Sequence, residues 1–270
     1  MVVIKRFKHI SIISPGRRQG NTTLAISIGL MLSTTQNISV CLTHTGADNE
    51  ALITYLGDKI VPDVTNSFEQ VGELAMFGQL SQGSIVDYMH KLSEGYYFLD
   101  TTSKHLSTEV SSDLLLKVFE YLDFDVVITD ISTEIYDEIT QEVLRRSDLV
   151  LVVLEQAKDM LNKLLAWKES EYYSPIYEIE EMFVLNKFNR VVSSLKEFCK
   201  EAQIHFRRTE KCDYTAEIQR LSNRGNLLSL YDEICERDVD LLGFDEDMKR
   251  LIHKVCLSLG FKFIDWRNLK

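Results

Sequence analysis

Residues 16–23 read Gly-Arg-Arg-Gln-Gly-Asn-Thr-Thr, between an apolar run (Ile10–Ile13) and a helical pattern that begins at Thr22. The spacing suits anion binding. Two glycines let successive backbone N–H groups converge, and a helix N-terminus adds partial positive charge. Arg17 and Arg18 offer planar guanidinium donors that fit phosphate-like oxygens two at a time. Thr22 and Thr23 open that helix, and Asp130 closes another β-branched run, Val126–Thr129. Simpler roles compete for each residue. Thr22 and Thr23 also suit helix capping, Asp130 a turn, and the arginines a solvated loop.

The surrounding chain supplies elements able to position these groups. Short apolar runs predict strands at His9–Ile13, Ser39–Thr43, Val126–Thr129, Leu149–Leu154 and Met182–Leu185. The run LVLVVL at 149–154 is apolar throughout, as in a strand covered on both faces. Helical periodicity falls at Thr22–Leu32, Ser112–Leu122, Glu138–Arg146, Leu161–Lys168 and Lys249–Leu259. Strands alternating with helices predict an α/β fold, a mainly parallel sheet flanked by helices on both faces. No linker or repeat divides the 270 residues. One domain is expected, with its core over 8–230 and a helical closure over 231–270. Gly57–Tyr97 reads as short helices and loops over one end of the sheet, and Tyr172 and Tyr173 as surface or partly buried aromatics.

Composition narrows the function. The net charge of -11 disfavours a surface built to grip nucleic acid, although Arg190, Lys196, Lys200, Arg207, Arg208 and Lys211 offer a local basic patch. Five cysteines without a CxxC pair argue for reduced thiols and against a zinc site. No stretch approaches a membrane span of about 20 apolar residues. The chain reads as cytoplasmic. SPGRRQG is not the dinucleotide pattern GxGxxG, and His44 has no second ligand at metal-binding spacing.

The segment 10–32 matches the second half of a P-loop, GxxxxGK[ST], through Gly20, Thr22 and Thr23, with Asn21 in place of the lysine. In full, residues 16–23 resemble the KGGVGKTT loop of MinD/ParA-type ATPases. Four more blocks follow in the family order. Phe124–Asp130 (FDVVITD) resembles the strand that ends in the Walker B acid, and Arg146–Val153 (RSDLVLVV) the strand after it. Val184–Asn189 (VLNKFN) resembles the strand end near the base, and Ala216–Asn226 a late segment near the nucleotide and dimer interface.

The resemblance implies a P-loop fold and a homodimer. It also implies ATP or ADP with Mg2+, held by Gly16, Arg17, Arg18, Gln19, Gly20, Asn21, Thr22, Thr23, Asn186 and Asn189. Thr22 and Asp130 would be metal ligands, with Asp130 the catalytic acid. The departures are specific. The two loop lysines of the family fall at Gly16 and Asn21, and the acidic stretch after the second strand reads Thr43-His44-Thr45. One lost preorganised donor costs about 10²–10³ in rate, so weak or absent hydrolysis is expected. Altered loops of this kind resemble the CpaE/TadZ pilus-assembly group. That implies protein partners in a membrane-associated or polar machine and recruitment to the inner face of the membrane. The competing expectations are a nucleotide-independent scaffold and a DNA-partitioning protein.

Overall fold

A computed structural model describes residues 7–46, 50–57, 60, 68–81, 83–101, 112–132, 134–213, 215–235 and 242–266. The strands are β1 (Lys8–Ile13), β2 (Val40–His44), β3 (His90–Ser93), β4 (Tyr96–Phe98), β5 (Val126–Asp130), β6 (Leu149–Leu154), β7 (Glu180–Phe188) and β8 (Thr209–Asp213). The helices are α1 (Asn21–Gln36), α2 (Glu50–Leu56), α3 (Phe68–Met76), α4 (Ser112–Phe119), α5 (Glu138–Arg145), α6 (Lys158–Glu169), α7 (Ser174–Tyr177), α8 (Leu195–Glu201), α9 (Ala216–Asn223), α10 (Leu230–Cys235) and α11 (Leu242–Leu259).

The strands form one sheet in the order β3-β4-β2-β5-β1-β6-β7-β8. The β3–β4 pairing is antiparallel, and every other pairing is parallel. Each central strand is buried on both sides, because alternate side chains enter two separate cores. Ile10, Ile12, Val126, Ile128, Leu149, Leu151 and Val153 pack beneath α1, α9, α10 and α11. Ile13, Val127, Val150, Val152 and Leu154 pack beneath α3 to α8. This accounts for their unbroken apolar runs and confirms the α/β expectation.

The five expected strands and five expected helices are present, with ends moved by up to seven residues. Three strands escaped the sequence reading. β3 and β4 form a hairpin at the end of 57–97, the stretch read as helices and loops; α3 and a 3-10 turn at Ser84–Tyr88 are the helical elements of its described part. Tyr173, read as surface or partly buried, is fully buried. Its hydroxyl donates to Glu181 Oε2 at 3.0 Å. Burial and that carboxylate push its pKa far up.

α1 is buried along most of its length, from Leu24 to Gln36. It lies between the sheet and α2, α10 and α11, so it has no solvated face. The topology sets the functional edge. β1 is central, with β5 on one side and β6 on the other. The carboxyl ends of these strands therefore meet at the point where ligands of open α/β sheets bind.

Candidate functional site

The loop from Ser14 to Gly20 links β1 to α1 at that edge. The Ser14 hydroxyl donates to the Gly16 carbonyl at 2.6 Å and closes a tight turn. Arg18 and Gly20 both take left-handed backbone, φ 63° and 92°. Gly20 is required twice over. Its φ penalises a side chain, and a Cβ there would collide with Asn186 Nδ2. Asn186 Nδ2 donates to the Gln19 carbonyl at 2.7 Å. Lys187 Nζ donates to the Arg18 carbonyl at 3.1 Å and pairs with Glu155. The end of β7 thus clamps the loop by two consecutive carbonyls.

Thr22, at the start of α1, donates its hydroxyl to Asp130 Oδ2 at 2.6 Å. Asp130 is 1% exposed at the end of β5. The pair joins residues 108 positions apart, with the hydroxyl and carboxylate oxygens poised side by side. Oxygen ligands of this type suit Mg2+, which takes one or two protein oxygens, keeps several waters and binds phosphate. Two carboxamide oxygens, Gln19 Oε1 in the loop and Asn21 Oδ1 at the start of α1, are buried without a hydrogen-bond partner among the described residues. An unsatisfied buried acceptor costs about 1–3 kcal/mol. A metal-bound water or a sugar hydroxyl is the kind of donor that relieves it. The residues present therefore fit a magnesium-nucleotide.

The remaining expected site residues fall into two groups. Arg17 and Arg18 are exposed. Neither guanidinium makes a hydrogen bond or ion pair among the described residues. Thr23 lies in the first turn of α1. Asn189 stands apart from the loop. Its side chain accepts from the Val191 amide at 2.9 Å, and its own amide donates to Gln156 Oε1, so it shapes the turn after β7. No His/Cys/Asp/Glu cluster suited to a metal is present among the described residues. His44 is buried and stacks on Phe98, and its Nε2 lies 3.0 Å from Asp100 Oδ1.

Sequence reasoning missed Lys163, Met160 and Trp167 of α6. With Pro15, Gly16, Arg17 and Gln19 they line a cleft of 690 Å³ beside the loop. A Cβ on Gly16 would stand 2.6 Å from Met160 Sδ and 3.6 Å from Lys163 Nζ. α6 thus packs its Met160 thioether closely against this loop position. A helical pattern alone gives no hint that Lys163 faces the loop.

A sheet of this order, with a glycine loop after its central strand and a Thr–Asp pair across neighbouring strand ends, is a specific architecture. Solved structures share the overall fold. The ParA family ATPase of Chlorobium tepidum TLS superposes with TM-score 0.71 at 12% identity, over 91% of this chain and 98% of that one. The fold is that of the ParA and MinD ATPases. MinD in the MinC:MinD complex of Aquifex aeolicus gives 0.66 at 15% identity, over 96% and 98%. An ATP complex of a McdA variant from Cyanothece gives 0.64 at 17% identity, over 97% and 99%. No family model matches the sequence, and no curated protein does. At such identities the likeness establishes the fold. No helix among the described residues is long and apolar enough to cross a membrane.

Proposed function

We propose that this ParA/MinD-like protein binds a magnesium-nucleotide at the loop, hydrolyses it slowly or not at all, and works as a dimerising spatial organiser. The observation that carries the reading is the Thr22–Asp130 hydrogen bond beneath a loop held open by Asn186 and Lys187. The loop is preorganised without a ligand, which lowers the entropic cost of binding. The McdA relative of the same fold is an ATP complex.

When bound, Mg2+ would neutralise phosphate charge, with Thr22 and Asp130 as its protein oxygens. Backbone N–H groups of residues 16–22 hold phosphate oxygens, and Arg17 and Arg18 add charge from the exposed tip. Slow turnover follows from chemistry. Phosphoryl transfer depends on positioned cations around the transferred group, and Asn21 stands where the resemblance places a phosphate-binding lysine. A carboxamide carries no net charge. The pairing of MinD with MinC in a solved complex supports a protein partner for this chain as well. The altered loop favours an assembly role, such as in a pilus or secretion machine, over vigorous cycling.

The test has two readouts. Saturating Mg-ATP raises the melting temperature, since ligand at 100 times its Kd contributes about 2.7 kcal/mol. Phosphate release stays near background in the same samples. Absence of a shift at millimolar Mg-ATP and Mg-ADP overturns the binding reading. Rapid turnover overturns the slow-hydrolysis reading. Sedimentation with and without Mg-ATP tests dimerisation, and a monomer in both overturns that part.

A further inference from the structure

We propose that Lys163, on α6, supplies to the bound phosphates the cation that the loop itself lacks. The inference rests on the nucleotide reading above and names a residue outside the loop. Lys163 Nζ lies 3.6 Å from the point where a side chain on Gly16 would begin, so its charge stands against the loop's first glycine. Asp159 precedes Lys163 by four residues on the same helix, the spacing at which ion pairs form. Lys163 nevertheless forms no ion pair among the described residues; it is exposed, with its Nζ against the loop.

The cleft it lines joins three complementary chemistries. Lys163 and Arg17 are cations without a carboxylate partner among the described residues. Gln19 is 6% exposed, and its Oε1 has no hydrogen-bond partner. Trp167 presents an aromatic ring on the same wall. Glu134 and Asp159 also line the cleft and keep it from being a general anion sink. A ligand that satisfies this set carries both anionic oxygens and hydrogen-bond donors. Phosphates with metal-bound water or ribose hydroxyls supply both.

The cation comes from a helix that packs over the loop, so α6 becomes part of the site. Gly16, without a side chain, leaves room for the Met160 thioether, with Lys163 beside it. The position where the resemblance places a lysine is thus left vacant, and the charge arrives from a different element.

The experiment is calorimetric titration of Mg-ATP, Mg-ADP and magnesium pyrophosphate into the wild-type chain, Lys163→Ala, Lys163→Arg and Lys158→Ala. Lys163→Ala weakens binding of all three on the order of ten- to a hundred-fold, the worth of a charged hydrogen bond. Lys163→Arg recovers most of the affinity, and Lys158→Ala matches the wild type. Tryptophan fluorescence reports the same site, and Trp167→Phe removes the ligand-dependent change while leaving the Trp266 signal. Unchanged melting temperatures for the free variants exclude misfolding. If the wild type binds and Lys163→Ala binds equally well, this inference falls alone. If the wild type binds none of the three probes, the nucleotide reading falls and takes this inference with it.

Discussion

Two charged regions of this molecule follow opposite rules. Between β8 and α11 the cations are matched by acids. Lys211 Nζ lies 2.5 Å from Asp213 and 3.0 Å from Asp247, Arg250 pairs with Asp247, and Lys254 lies 2.6 Å from Glu210. Asp247 also accepts from the Asp213 amide at 2.8 Å. Around the loop, Arg17, Arg18 and Lys163 have no acidic partner among the described residues, and two carboxamide oxygens are orphaned. Polar groups that satisfy one another hold elements together. Exposed cations without a protein partner, beside buried acceptors that lack one, mark a candidate binding site instead.

Breaking the satisfied network gives the largest expected change. Asp247→Ala removes the shared acceptor of Lys211, Arg250 and the Asp213 amide, leaving the mostly buried Lys211 with Asp213 alone, and is expected to cost about 3 kcal/mol in chemical denaturation. Nucleotide affinity stays unchanged. Asp247→Asn costs less. Burial pushes the Asp247 carboxyl above its ordinary 3.8 despite Lys211, so its ionised form is already disfavoured. The sign follows: the contribution of this group is fullest at low pH and declines as pH rises through the raised value. Equal losses for the two variants contradict this order.

The loop clamp comes next. Asn186→Ala removes the hydrogen bond to the Gln19 carbonyl, with an expected loss of about 1–2 kcal/mol in stability. Mg-ATP affinity falls with it, because the loop no longer holds its shape. An unaltered affinity contradicts the clamp. Thr22→Val removes one hydrogen bond from the buried Asp130 carboxylate and is expected to cost about 1 kcal/mol in the free protein. Its signature is the magnesium dependence of nucleotide binding, which is lost while metal-free binding persists. The smallest effect concerns α8. Ser194 and Glu197 form a reciprocal cap, and the Ser194 backbone and hydroxyl hold the Glu197 carboxyl below its ordinary 4.5. The stabilisation is present above that value and fades as pH falls through the lowered one. Hydrogen exchange at the first turn of α8 is expected to quicken only in that acidic window.

The contrast also explains what could be read from the sequence. β5 and β6 were legible because burial on both faces demands nearly continuous apolar runs, and LVLVVL has few other interpretations. The loop was legible because Gly20 and the Thr pair recur at a spacing set by backbone geometry. β3 (HKLS) and β8 (TEKCD) were not, because strands at the sheet edges carry polar residues that blur the period. Asn186 was marked through its place in a motif, but its actual role, a hydrogen bond to a carbonyl 167 residues away, is a tertiary fact. Lys163 was invisible for the same reason. On a helical wheel it is one more solvent-facing lysine, and only the packing of α6 against Gly16 brings it to the loop. Asn189, grouped with Asn186 by motif, belongs to a turn.

The most direct test of the account measures both regions with one ligand. Mg-ATP is titrated calorimetrically into the wild type, Asp130→Ala and Asp247→Asn under identical conditions. The account predicts binding to the wild type and to Asp247→Asn with equal affinity, and at least ten-fold weaker binding to Asp130→Ala. Binding that survives Asp130→Ala but is lost in Asp247→Asn would contradict it.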